Sequence, residues 1–102
     1  MKEFRVHRLA RREISDAFLF YKYTDDPALA PDFQLKLQVA FRELRQNPQR
    51  YPRWKDTKVR KHKMERFPYL VFYIDYPDRI RVLAIAHTSR RPGYWKTRIA
   101  VD

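Results

Sequence analysis

Leu70-Val71-Phe72-Tyr73-Ile74 is apolar at five consecutive positions. Side chains of a strand alternate between the two faces of a sheet. A strand of this composition therefore buries both faces and belongs in the middle of a sheet covered on each side. Arg66-Phe67-Pro68 on one flank and Tyr76-Pro77-Asp78 on the other are turn sequences, which bounds the strand at about Tyr69–Asp75. Neighbouring strands follow at about Arg79–His87 and about Thr57–Glu65, joined to it as hairpins.

Upstream, the period changes from two to 3.6. Phe33, Leu37, Ala40, Phe41 and Leu44 predict a helix from about Ala28 to Gln46, stopped by Asn47-Pro48. Ile14, Ala17, Phe18 and Tyr21 predict another over about residues 11–23, broken by Thr24-Asp25-Asp26-Pro27. The short loop between them implies an antiparallel helical hairpin. Phe4 to Leu9 opens with strand-like alternation. The expected fold class is α+β: an N-terminal strand, the helical hairpin, then three antiparallel strands forming one twisted sheet with the helices on one face. Residues 1–102 are expected to form a single domain.

The chain has 102 residues, 44% of them hydrophobic, enough to bury a core without metal or disulfide. It contains no cysteine, which removes thiol catalysis and zinc–thiolate sites. No apolar run approaches the roughly 20 residues that span a bilayer, so no membrane partner is expected. No signal peptide is apparent, and the expected compartment is the cytoplasm. Net charge is +11. Residues 1–52 hold 10 Lys/Arg against 7 Asp/Glu, and residues 53–102 hold 13 against 5. The positive field thus lies in the C-terminal half and implies a polyanionic partner. Aromatic content of 16% beside that charge favours nucleic acid, because rings stack on bases.

Two stretches carry chemistry. Lys58, Arg60, Lys61, His62, Lys63 and Arg66 crowd the second strand and its end, with Val59 and Met64 as its core anchors. An edge strand guarded by lysines explains part of this; an anion site also explains Arg60 and His62. At the far end of the last strand stand His87, Arg90, Arg91, the Pro92-Gly93 turn, Tyr94 and Trp95. His62 and His87 are the candidate proton carriers, since histidine titrates near neutrality. Two readings of His87 remain open: proton transfer, or a ring packed at the strand end. Trp95 reads as a pin holding the C-terminal segment to the sheet. Trp54 and Tyr51 read as caps on the core, and His7 as structural or exposed. Glu13 and Asp16 are expected to face solvent, and Glu65 to balance neighbouring cations. No metal-spaced histidine set or Gly-rich phosphate loop occurs, so no cofactor or metal is expected.

Four segments together resemble the RelE/ParE superfamily of type II toxin–antitoxin toxins, also known as plasmid stabilisation proteins. They are the early strand running into a helix that ends at Tyr21; Leu44-Arg45-Gln46-Asn47-Pro48 closing the long helix; Arg66-Phe67-Pro68-Tyr69-Leu70-Val71-Phe72-Tyr73; and Ile80 to His87 followed by Arg90-Arg91-Pro92. The resemblance implies a toxin neutralised by a cognate acidic antitoxin. RelE-like members cut mRNA on the ribosome without metal, and ParE-like members inhibit DNA gyrase without chemistry. The RelE-like scheme implies catalytic roles for Arg60, His62, Arg81, His87 and Tyr94, with Lys58, Lys61, Lys63, Arg66, Arg90 and Arg91 on nucleic acid. RNA cleavage is the first expectation, gyrase inhibition the alternative, and a plain interaction module the third. Arg81 could equally project as a solvated charge.

Overall fold

The computed structural model describes residues 2–100. The elements run β1 (Glu3–Val6), α1 (Arg8–Lys22), α2 (Leu29–Gln46), β2 (Val59–Lys63), β3 (Tyr69–Asp75) and β4 (Arg79–His87), then a 3-10 turn at Lys96–Ile99. The sheet order is β1-β4-β3-β2. β3 is flanked by antiparallel β2 and β4, as its two-sided apolar sequence requires. β1 pairs with β4 in parallel, so the α+β sheet is mixed. Two hairpin reversals bring β4 back beside β1 in β1's own direction.

Helix α1 begins at Arg8, three residues before the expected start, and the first strand ends correspondingly early at Val6. The cause is His7. It is 5% exposed, and its Nδ1 accepts the Leu9 amide at 3.1 Å, closing the first turn. β2 is shorter than expected at both ends. The Thr57 hydroxyl donates to the Trp54 carbonyl at 2.6 Å and accepts the Val59 amide at 3.1 Å, holding the entry as a turn. At the exit, Arg66 sits in the left-handed region at φ 70°.

The sheet divides two cores. On the helix side, Phe33, Leu37, Ala40 and Leu44 of α2 and Ala10 and Ala17 of α1 meet Val71, Tyr73, Val82 and Ile85. On the opposite side, Trp54 and Trp95 cover Val59, Phe72, Ile74, Leu83, Ala84 and Ala86. Each Val, Leu, Ile or Phe side chain fully buried this way contributes roughly 1.5–3 kcal/mol. Tyr73 pairs with Val82 while Phe72 pairs with Ala84, leaving Leu83 as an extra residue in β4. This bulge puts Leu83 and Ala84 on the same side of the sheet and returns Ile85 to the helix side.

Candidate functional site

The side of the sheet away from the helices is closed by a strap, residues 88–99. Its pin is Trp95, 1% exposed, with its ring 4.7 Å from Phe72 and 5.0 Å from Trp54. The strap turns at Gly93, whose φ of 81° suits glycine. An added Cβ there would lie 3.2 Å from the Trp54 ring.

Glu13 of α1 fastens the strap. Its Oε1 accepts the Ile85 amide and Arg98 Nη1, both at 3.0 Å. Its Oε2 accepts the Tyr94 hydroxyl at 2.7 Å and Arg98 Nη2 at 3.0 Å. The Glu13 and Arg98 side chains are 14% and 10% exposed. This corrects the expectation that Glu13 faces solvent, which holds for Asp16 alone. The signal was present in the sequence: Glu13 lies on the helix face of Ala10 and Ala17, the side that packs on the core. A carboxylate in such a stripe must find donors.

Arg81 is a second fastening. It is 4% exposed, and its guanidinium donates to the Ile99 and Arg98 carbonyls at 2.8 and 2.6 Å. It is neither a solvated charge nor exposed to a substrate phosphate. The Tyr94 hydroxyl donates a hydrogen bond to Glu13, and burial together with that bond pushes its pKa well above the ordinary tyrosine value. Such a phenol is a poor proton donor at neutral pH.

Arg60 and His62 lie on the helix side. Arg60 Nη1 donates to the Gln49 and Tyr51 carbonyls at 3.1 and 2.8 Å. The His62 ring lies 3.9 Å from the Tyr51 ring, and its Nε2 is 3.1 Å from Glu43 Oε1 on α2. Both residues clip the loop after α2 onto β2, as does the Tyr73 hydroxyl, which donates to the Pro48 carbonyl at 2.7 Å. Arg66 pairs with Asp32 in the first turn of α2. Lys58 stacks over Tyr76 at 4.9 Å, and Lys63 is exposed on β2. Glu65 pairs with Lys36 at 3.7 Å, in keeping with a charge-balancing role.

Lys61, Arg90 and Arg91 do come together, with His87 at their border and its ring turned to the helix side against Tyr69. With Trp54, Phe72 and Tyr94 they border a pocket of about 180 Å³ on the strap side of the sheet. Arg90 lies over the Tyr94 ring at 3.8 Å. His87 Nδ1 accepts the Ser89 amide at 3.0 Å and lies 2.7 Å from its hydroxyl, so a neutral ring carries its proton on Nε2. His87 and Arg90 also border a cleft of about 350 Å³ between α1 and the end of β4, walled by Phe20, Tyr21 and Tyr69. The pocket and cleft offer cations, one histidine and aromatic walls. That composition suits binding of an anionic or aromatic group more than a full acid–base set. Among the described residues, no group of His, Asp and Glu is placed to hold a metal ion.

The sequence model of the family described as ParE toxin of type II toxin-antitoxin system, parDE, matches residues 4–92. Among solved structures, the chain is similar to one described as "Chromosomal ParDE TA system from P. aeruginosa". The TM-score is 0.74 at 20% identity, over 85% of this chain and 96% of that one. At that identity the likeness bears on the fold alone. No curated protein sequence matches this one.

Proposed function

The chain belongs to the ParE toxin family of type II toxin–antitoxin modules, and from that membership we propose that it acts by binding, with DNA gyrase as its target and no covalent chemistry of its own. The supporting observation is the dispersal of the residues that RNA cleavage would need. Metal-free cleavage requires a base, an acid and cations around one phosphate. Here Arg60 and His62 clip a loop on the helix side. Arg81 and Tyr94 are bound into the strap on the other. His87 alone remains as a proton carrier, at the border of the basic pocket with its ring turned to the helix side against Tyr69.

One observation favours a second reading, ribosome-associated mRNA cleavage: Lys61, His87, Arg90 and Arg91 share that pocket. Under either reading, a cognate acidic antitoxin neutralises the toxin. The net charge of +11 supports that partner and implies association that slows as salt rises.

The deciding experiment is induced expression of wild type and His87→Ala, with primer extension on cellular mRNA and a plasmid cleavage assay with purified gyrase. Growth arrest with gyrase-linked DNA breaks, retained in His87→Ala, is the expected result. New mRNA ends that vanish in His87→Ala would move the assignment to RNA cleavage. Absence of any growth effect would leave an interaction module.

A further inference from the structure

The strap side of the sheet carries a cationic surface. Lys61 and Arg91 border its pocket, and Arg90 lies over Tyr94 beside them. Alternation along β2 puts Lys63 on the same side as Lys61. Lys58 lies over Tyr76 and Lys96 over Trp54, two rings of the strap-side core. Among the described residues none of these six cations forms an ion pair. Of the carboxylates between residues 53 and 100, Glu65, Asp75 and Asp78 pair with Lys36, Lys2 and Arg79, which leaves Asp56. A face so little neutralised attracts a polyanion.

The rings on this side decide which polyanion fits. Single-stranded nucleic acid is held by bases stacked on open aromatic faces. Here the outward rings already lie under cations. Trp54 has Lys55 at 4.7 Å and Lys96 at 5.2 Å over it. Tyr76 has Arg79 at 4.0 Å and Lys58 at 4.9 Å, and Tyr94 has Arg90 at 3.8 Å and Arg98 at 5.1 Å. Phe72 and Trp95 are buried. The surface therefore presents charge with aromatic groups beneath it, which suits phosphates and not base faces. A membrane fits poorly, because the exposed large apolar side chains, Leu19, Phe20, Tyr23 and Leu35, lie on or beside the helices. An acidic protein would also look for an apolar anchor at the centre of its interface.

We propose that the strap side binds double-stranded DNA through its phosphates, without reading sequence. Lys58, Lys61, Lys63, Arg90, Arg91 and Lys96 meet the backbone, and the pocket bordered by Lys61 and Arg91 seats one phosphate. The choice of DNA over duplex RNA rests on the gyrase reading, in which the toxin lies against the DNA that gyrase holds.

The probe is a fluorescently labelled 20-base-pair DNA duplex, titrated with purified toxin at several salt concentrations and followed by anisotropy. Six phosphate contacts at roughly −0.9 each predict a slope of about −5 for log affinity against log salt. A duplex of scrambled sequence should bind equally. Lys63→Glu and Arg91→Glu, both at exposed positions, should each weaken binding about tenfold and reduce the slope by about one. Arg42→Glu makes the same charge change on the exposed face of α2 and should alter affinity less than twofold. An equal loss in Arg42→Glu, tighter binding of the single strand or of duplex RNA, or no salt dependence would overturn the proposal. The same proteins then enter the gyrase cleavage assay. Breaks undiminished in variants that no longer hold the duplex would also overturn it, with gyrase still the target. Duplex binding with no breaks in wild type would sustain the surface and overturn the gyrase reading.

Discussion

Glu13 and Arg98 lie 85 positions apart in sequence and meet as a two-pronged ion pair, each prong 3.0 Å long. The pair ties the first helix to the last turn across the end of β4. Because the same carboxylate also takes the Ile85 amide and the Tyr94 hydroxyl, one side chain holds three parts of the fold.

Glu13→Ala should therefore destabilise the protein by about 3 kcal/mol, the cost of leaving a buried guanidinium without its partner. Urea unfolding measures it. Trypsin should cleave after Lys96 and Arg98 faster in this variant, as the strap loosens. Glu13→Gln, which keeps an acceptor for Ile85, should lose less.

Trp95→Ala should cost about 3–5 kcal/mol, because the indole is fully enclosed and the cavity against Phe72 and Trp54 cannot collapse. Trp95→Phe should recover part of the loss. Thermal unfolding of the two variants side by side checks the ordering.

Gly93→Ala should lower stability by about 1–2 kcal/mol, from a strained positive φ and a contact with the Trp54 ring. For a chain of this size that is a fall in Tm of several degrees, roughly 4–8 °C per kcal/mol. An unchanged Tm would show that the Pro92-Gly93 turn can rearrange freely.

Stability should fall between pH 10 and 12. Burial first, then neighbouring Tyr21, raises the Tyr69 pKa from 10.0 to about 12. Between those values the unfolded chain releases a proton that the folded chain keeps. The Tyr69 contribution is thus full below pH 10 and lost as pH rises towards 12. Tyr69→Phe should flatten part of this slope in denaturant titrations. Tyr73 and Tyr94, also raised by burial, should supply the remainder.

The central sheet was legible because its signal is local. Leu70 to Ile74 carry two-sided burial in their own composition, and the turns beside them end β3 and β4 at the expected residues. The helical stripes were equally legible, as Phe33, Leu37, Ala40 and Leu44 are buried together. Trp95 was correctly read as a pin, since an indole beside a turn has few other places to go. The burial of Arg81 was not legible, because a charged residue in a strand normally marks a wet face. Here two carbonyls 17 and 18 positions later replace water. Arg60 and His62 looked like an anion site because their neighbours are cations. Their partners, the Tyr51 carbonyl and Glu43, come from the preceding helix and loop. No periodicity reports pairings at that separation.

The extra residue Leu83 has a consequence for comparing this chain with its relatives. Beyond it, β4 is re-phased, so that Ile85 faces the helices and the His87 ring packs edge-on to Tyr69 at 5.3 Å. Remove one residue and the same letters would present the imidazole to the opposite surface. Two sequences that align column by column through Ile80 to His87 can thus display their histidines on opposite sides of the molecule. Equivalence of function at that position has to be judged by counting residues through the bulge, not by matching letters.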